Sequence, residues 1–214
     1  MNTDRPDTTI DFFGMYLAHD ACRRDARRLA AAAAQNSLTQ PSVRTGWQTF
    51  LRQMHRHHST EDAALWPLVR TAITDTEDQT ILDDMDAEHS GIEQLLAKVE
   101  SAITNPDNSS RFDLLGNVET LAVALDTHFT HEEQRALPLI DRTVGGPGWA
   151  AFGAEMRKRN GLRALTEYLP WALDDAPADA QAKMLDFLPA PIRTVYQLVL
   201  RPRYTRTRRD WQQL

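Results

Sequence analysis

Cysteine is almost absent: Cys22 stands alone in 214 residues, so no intramolecular disulfide can form and a reducing compartment fits. No apolar run approaches the roughly 20 residues that a helix needs to cross a bilayer, which excludes a membrane-spanning helix. The opening stretch MNTDRPDTT is polar and lacks the apolar centre of a secretory signal, so a cytoplasmic location is expected. Histidine is missing after His131, which removes the last third of the chain from any imidazole chemistry. What remains is ordinary for a folded chain: 42% hydrophobic residues, a net charge of −6, and enough length for one good-sized domain plus an extension.

Against that background one pattern occurs twice. A histidine is followed four residues later by a glutamate and six further on by a proline: His57, Glu61, Pro67, then His128, Glu132, Pro138. Both lie on apolar stripes of helical spacing, Trp47, Phe50, Met54, His57, Glu61, Leu65, Leu68 and Ala72 in one, Val118, Leu121, Leu125, His128, Glu132, Ala136 and Leu139 in the other. Two further stripes carry one histidine each: Phe12, Tyr16, His19, Cys22, Ala26 and Leu29, and Ile81, Met85, His89, Ile92, Leu96 and Val99. The order also repeats. The differences 128 − 57, 132 − 61 and 138 − 67 are each 71, and 89 − 19 is 70, so the second half copies the first and a site of approximate twofold symmetry for two metal ions is expected.

The chemistry follows from the cost of burial. An unpaired carboxylate or imidazolium among Leu, Met, Val and Phe costs several kcal/mol or neutralises itself, and metal coordination removes that objection. Imidazole and carboxylate without thiolate suit iron, manganese or zinc, and paired ions among helices point to di-iron or di-manganese, with iron preferred. A lone core histidine is usually just hydrogen-bonded, and a single His-x-x-x-Glu is a common solvent-side pair. Four stripes, two duplicated pairs and one repeat offset together carry the metal reading.

The residues His19 in LAHDACRRD, His57 and Glu61 in HHSTEDAALWP, His89 in DAEHSGIEQ, and His128 and Glu132 in HFTHEEQRALP resemble the hemerythrin-like, or HHE cation-binding, domain family over roughly residues 10 to 143. The resemblance implies an all-α, up-and-down four-helix bundle. It implies two non-haem iron ions in an Fe-O-Fe type centre, with Glu61 and Glu132 as bridges and His19, His57, His89 and His128 as terminal ligands. The oxygen-carrying members use five histidines, with a further histidine four residues after that of the third helix and an aspartate five residues after the last. Here those positions hold Glu93 and Glu133, which turns the expectation from reversible oxygen storage toward redox chemistry or sensing.

Around these residues, Tyr16 lies one turn before His19 and is open to two readings, hydrogen bonding at the site or a plain core aromatic. His58 and His131 are displaced from the stripes and are expected at the surface, as is His55. Glu88 and Glu133 are either imidazole acceptors or parts of a solvated face. Pro67 and Pro138 fall inside helical patterns and predict kinks in the second and fourth helices. Loops are expected at Asn36 to Ser42, Thr74 to Asp78 and the turn-rich Asn105 to Ser110, and VGGPG after Thr143 breaks the fourth helix.

Residues 144–214 read as a helical extension: an amphipathic helix through Trp149, Phe152, Met156, Leu162, Leu165 and Leu169, then shorter ones at Ala178 to Leu188 and Ile192 to Leu200. It is expected to pack on the bundle or form a homodimer contact. The terminal RPRYTRTRRDWQQL is basic, but no DNA-binding helix arrangement accompanies it, so a solvated or body-paired tail is expected and no nucleic-acid partner. Two function classes stay open: a di-iron oxidoreductase acting on peroxide, nitric oxide or oxygen, and an iron, oxygen or redox sensor without turnover.

Overall fold

Helix-forming residues and sparse glycine leave helices as the only long elements, and the computed structural model, which describes residues 5–105 and 111–212, contains no strand among them. The helices are α1 (Phe13–Ala34), α2 (Pro41–Thr60), α3 (Trp66–Ala72), α4 (Thr76–Thr104), α5 (Arg111–His131), α6 (Leu137–Thr143), α7 (Gly145–Ala172), α8 (Ala178–Asp186), α9 (Ala190–Val195) and α10 (Arg201–Gln212). None is long and apolar enough to cross a membrane.

Local chemistry sets several boundaries. Pro41 occupies the first turn of α2, where its missing N–H costs nothing. Asp75 caps α4 by accepting the Glu77 N–H at 2.7 Å, and Glu77 and Asp78 complement the helix dipole, so the expected acidic loop is largely a helix start. The chain turns between α6 and α7 through Gly145, whose φ of 59° only glycine adopts without strain. Of the expected turn Asn105 to Ser110, Asn105 closes α4, and 106–110 lie outside the described residues.

Neither proline produces a simple break. Ahead of each, the helix widens into a π turn, Glu61–Leu65 joining α2 to α3 and Glu132–Ala136 joining α5 to α6, with a third at Tyr196–Leu200 before Pro202. In the three turns the N–H of Trp66, Leu137 and Arg201 reaches back five residues to the carbonyl of Glu61, Glu132 and Tyr196. A proline ring crowds the carbonyl four residues earlier and offers it no donor, and the wider turn accommodates both defects. One extra residue per turn also moves the buried face. Beyond Glu61 the core positions are Trp66, Val69 and Ile73, whereas Leu68 is half-buried and Ala72 exposed, a correction to the uninterrupted stripe.

Helix α1 packs on α2 and α5, and α4 packs on the same two. Two apolar cores result. One gathers Cys22, Leu29, Trp47, Phe50, Met54, Leu96, Val99, Leu121 and Leu125; the other gathers Phe12, Leu65, Trp66, Val69, Leu82, Met85, Leu137 and Ile140. Helices α1 and α4 run from the second core to the first, and α2 and α5 run back, each crossing a polar layer between them.

The last described helix is held on the body, although Arg201, Arg203 and Arg206 are exposed. Trp171 enters the first core and its indole N–H donates to Asp25 at 2.7 Å, while Arg24 donates to the Trp171 carbonyl at 2.9 Å and Arg28 to Asp174 at 2.7 Å. These buried charges are paired, as burial demands. Helix α10 lies on α2, with Arg208 donating to Thr49 and Trp211 seated over Gly46. A Cβ at Gly46 would run into the indole ring of Trp211, so the glycine is required by close approach. Gly46→Ala would normally gain helix propensity; here it is expected to lower stability by about 1–3 kcal/mol in urea unfolding and to expose 201–212 to protease. A stabilised variant with unaltered cleavage would show that α10 does not rest on α2.

Candidate metal centre

Four helices each bring chemistry to the polar layer because their stripes change there from hydrocarbon to imidazole or carboxylate. All six residues singled out from the sequence come together. His19, His128 and Glu132 are wholly buried, Glu61 and His89 nearly so, and His57 is half-buried with a side chain 12% exposed.

The donor atoms fall into two groups. His19, His57 and Glu132 offer atoms within 4.8 Å of one another, and so do His58, His89 and His128. The two glutamates link the groups. Glu132 Oε2 lies 3.1 Å from His19 Nε2 and 3.9 Å from His128 Nε2. Glu61 Oε1 lies 3.3 Å from His57 Nδ1, and its Oε2 lies 3.7 Å from His89 Nε2. Each carboxylate therefore touches one histidine of either group.

Around this centre, other carboxylates fix the rings. Glu133 contacts His19 Nδ1 at 2.8 Å, Asp62 contacts His89 Nδ1 at 2.7 Å, and Glu88 contacts both His128 Nδ1 and His131 Nδ1 at 2.8 Å. An acceptor on Nδ1 holds the proton there and turns Nε2 toward the centre as a lone pair. The repeat extends to these partners, since 62 + 71 = 133: the residue after each π-turn glutamate orients the histidine of the opposite half. Glu88 and Glu133 are thus imidazole acceptors. Asp62 was missed, although its place directly after Glu61 matches that of Glu133.

His58 corrects the surface expectation: it is 2% exposed and stacks on His89 with ring centroids 3.9 Å apart. The signal was present in the spacing, because 58 lies four residues after Met54 and three before Glu61, on the same broad face. His131 is half-buried and His55 exposed. The Tyr16 hydroxyl is buried without a hydrogen-bond partner among the described residues, and the Arg5 guanidinium lies 3.9 Å from its ring centre. Cys22 is a buried core residue whose thiol contacts Met54 sulfur at 3.1 Å.

Electrostatically the layer is short of positive charge. Burial pushes the Glu61 carboxyl well above its usual range, reinforced by Glu132 and Asp62. Burial acts the same way on Glu132, but His19, then His57 and His128, outweigh it and pull it down to about 2. Burial opposes charge on His19 as well, yet Glu132 and Glu133 hold its pKa above the ordinary value. His57 and His58 are driven well below theirs by burial and neighbouring imidazoles, and His128 is lowered by burial despite Glu88.

Both oxygens of Glu61 and of Glu132, Nε2 of His89 and of His128, and both ring nitrogens of His58 lack a hydrogen-bond partner among the described residues. Each such group costs roughly 1–3 kcal/mol, more when charged, and native interiors hold few of them. Cations within reach would answer the carboxylate oxygens and one nitrogen of each ring, so the residues present fit a metal.

Comparison with known proteins agrees. A family model described as the hemerythrin HHE cation binding domain matches residues 14–140 and again 80–160. No curated protein and no solved structure matches the chain.

The imidazoles set the acid behaviour of metal-free protein. His57, His58 and His128 have lowered folded pKa values, so their stability contribution is present above about pH 6.5 and lost as pH falls below it. Glu61 and His19 are raised and oppose this, losing stability as pH rises. The larger group wins. Chelator-treated protein is expected to lose on the order of 1–2 kcal/mol per pH unit between about pH 6.5 and 5 in urea unfolding. A flat profile would show that the rings are solvated.

Proposed function

The chain belongs to the hemerythrin HHE cation-binding domain family, and from that premise we propose that it is a non-haem di-iron protein that binds or reacts with oxygen, peroxide or nitric oxide in redox chemistry or a stress response. In this reading residues 10–143 form the family's up-and-down four-helix bundle, and residues 144–214 are a helical extension. The alternating courses of α1, α2, α4 and α5 between two cores support that division. The absence of a disulfide suits work in the cytoplasm.

The carrying observation is the pair of buried glutamates, each in contact with a histidine of both donor groups. His19 and His57 would hold one ion, His89 and His128 the other, and Glu61 and Glu132 would span the two. When bound, the iron pair supplies Lewis acidity and electrons for a small exogenous ligand. The protein's own part is preorganisation. Asp62, Glu88 and Glu133 keep the histidine protons on Nδ1, away from the centre. Phe129 stacks on His19 at 4.4 Å and the Trp66 ring lies 6.2 Å from that of His89, so hydrocarbon covers both histidines. Tyr16, one turn before His19 and with no hydrogen-bond partner for its hydroxyl among the described residues, would offer a hydrogen bond at the His19 side.

A sensing role without turnover is the second reading. Its support is the seating of α10 on α2, the helix that carries His57, so that a change at the centre has a mechanical route to the chain's end. That reading expects protease protection of residues 144–214 to change with redox state.

Freshly purified protein is expected to contain about two irons per chain by elemental analysis, with near-ultraviolet and visible absorption that responds to peroxide. Glu61→Ala or Glu132→Ala should remove at least half of that iron. Iron-free protein after anaerobic reconstitution would refute the di-iron reading.

A further inference from the structure

Adjacent residues on a helix point about 100° apart, so His57 and His58 of α2 address different neighbours. His57 faces α1, its Nε2 3.1 Å from His19 Nε2. His58 faces α4 and α5: its ring lies flat on His89, and edge-on to His128 with centroids 5.3 Å apart. Glu61, four residues after one and three after the other, sits under both.

The internal repeat gives His58 a counterpart. Adding the offset, 58 + 71 = 129, and Phe129 stacks on His19 at 4.4 Å and 21°, as His58 stacks on His89 at 3.9 Å and 15°. The two halves thus place a planar ring at the same point. One ring carries nitrogen donors and the other is hydrocarbon.

A histidine kept only for packing would have at least one ring nitrogen satisfied. Among the described residues neither nitrogen of His58 has a hydrogen-bond partner, although the residue is 2% exposed. The nearest carboxylate, Glu93, stays 3.8 Å from its Nδ1 and pairs instead with the exposed His55 at 3.0 Å. By contrast His19, His89 and His128 each have Nδ1 engaged by a carboxylate. The donor atoms of His58, His89 and His128 all lie within 4.8 Å of one another.

We infer that His58 is a seventh metal ligand, completing a three-imidazole set with His89 and His128 for one ion, while Phe129 in the matching place leaves the His19 and His57 ion with fewer protein donors. The inference rests on the two-ion reading above and makes the centre unsymmetrical. The ion held by His19 and His57 would then be the one with room for a small exogenous ligand.

The discriminating variant is His58→Phe, which copies the ring already accepted at position 129 and so keeps the stacking. After dialysis against a chelator, wild type should retain about two irons and the variant about one, with altered Mössbauer parameters for the iron that loses a ligand. His58→Gln, read in the same way, replaces it if helical circular dichroism shows the Phe variant misfolded. Iron-edge X-ray absorption of wild type needs no variant: five imidazoles shared by two irons support the assignment, and four overturn it. Equal iron and unchanged Mössbauer spectra in wild type and variant would also overturn it while leaving the di-iron reading intact. A wild type without iron overturns both.

Discussion

Two glutamates buried in the same polar layer cannot both be charged without something positive between them. Glu61 and Glu132 are almost wholly removed from water, their oxygens meet imidazoles only as ion pairs and have no other hydrogen-bond partner among the described residues, and the imidazoles beside them are mostly held neutral by their own burial. The metal-free protein resolves the conflict unevenly, keeping Glu132 ionised beside His19 and pushing Glu61 toward its protonated form. Everything else in the layer is arranged around this shortage of positive charge. The outer carboxylates fix histidine protons away from the centre, and the two apolar cores close it from either end.

The π turns couple that centre to the rest of the helices. Both glutamates stand at the first position of a widened turn, and a proline six residues later makes the ordinary turn unfavourable. The widening lets Glu132 and Glu133 both face inward, so that one helix supplies a residue to the centre and the acceptor for a histidine of the opposite half. Backbone chemistry and site chemistry are therefore specified by one short stretch of sequence.

Much of this was legible in advance. Helical periodicity placed four histidines and two glutamates on inward faces, and the structure buries them there wholly or in part, because a polar side chain at an apolar stripe position has nowhere to point but the core. His58 was misread because a narrow stripe was drawn where the buried face is broad. Leu68 and Ala72 were misassigned because periodicity assumes 3.6 residues per turn, and the extra residue of a π turn is invisible to it. The seating of α10 depended on Gly46 meeting Trp211, a contact separated by most of the chain and carried by no local pattern.

The third π turn, at Tyr196–Leu200 before Pro202, carries no histidine and shows that a widened turn can precede a proline without a metal-type residue in it. At the centre the widened turn has a further effect. Because the turn is in essence a one-residue insertion, the far halves of the two rods take their rotational phase from Glu61 and Glu132 and not from the helix starts. Restoring ordinary winding with every residue kept would swing Trp66, Val69 and Ile73 about 100° around the axis, out of the second core. The spacing from glutamate to proline is thus a gauge length, setting how the two ends of the molecule are clocked against each other.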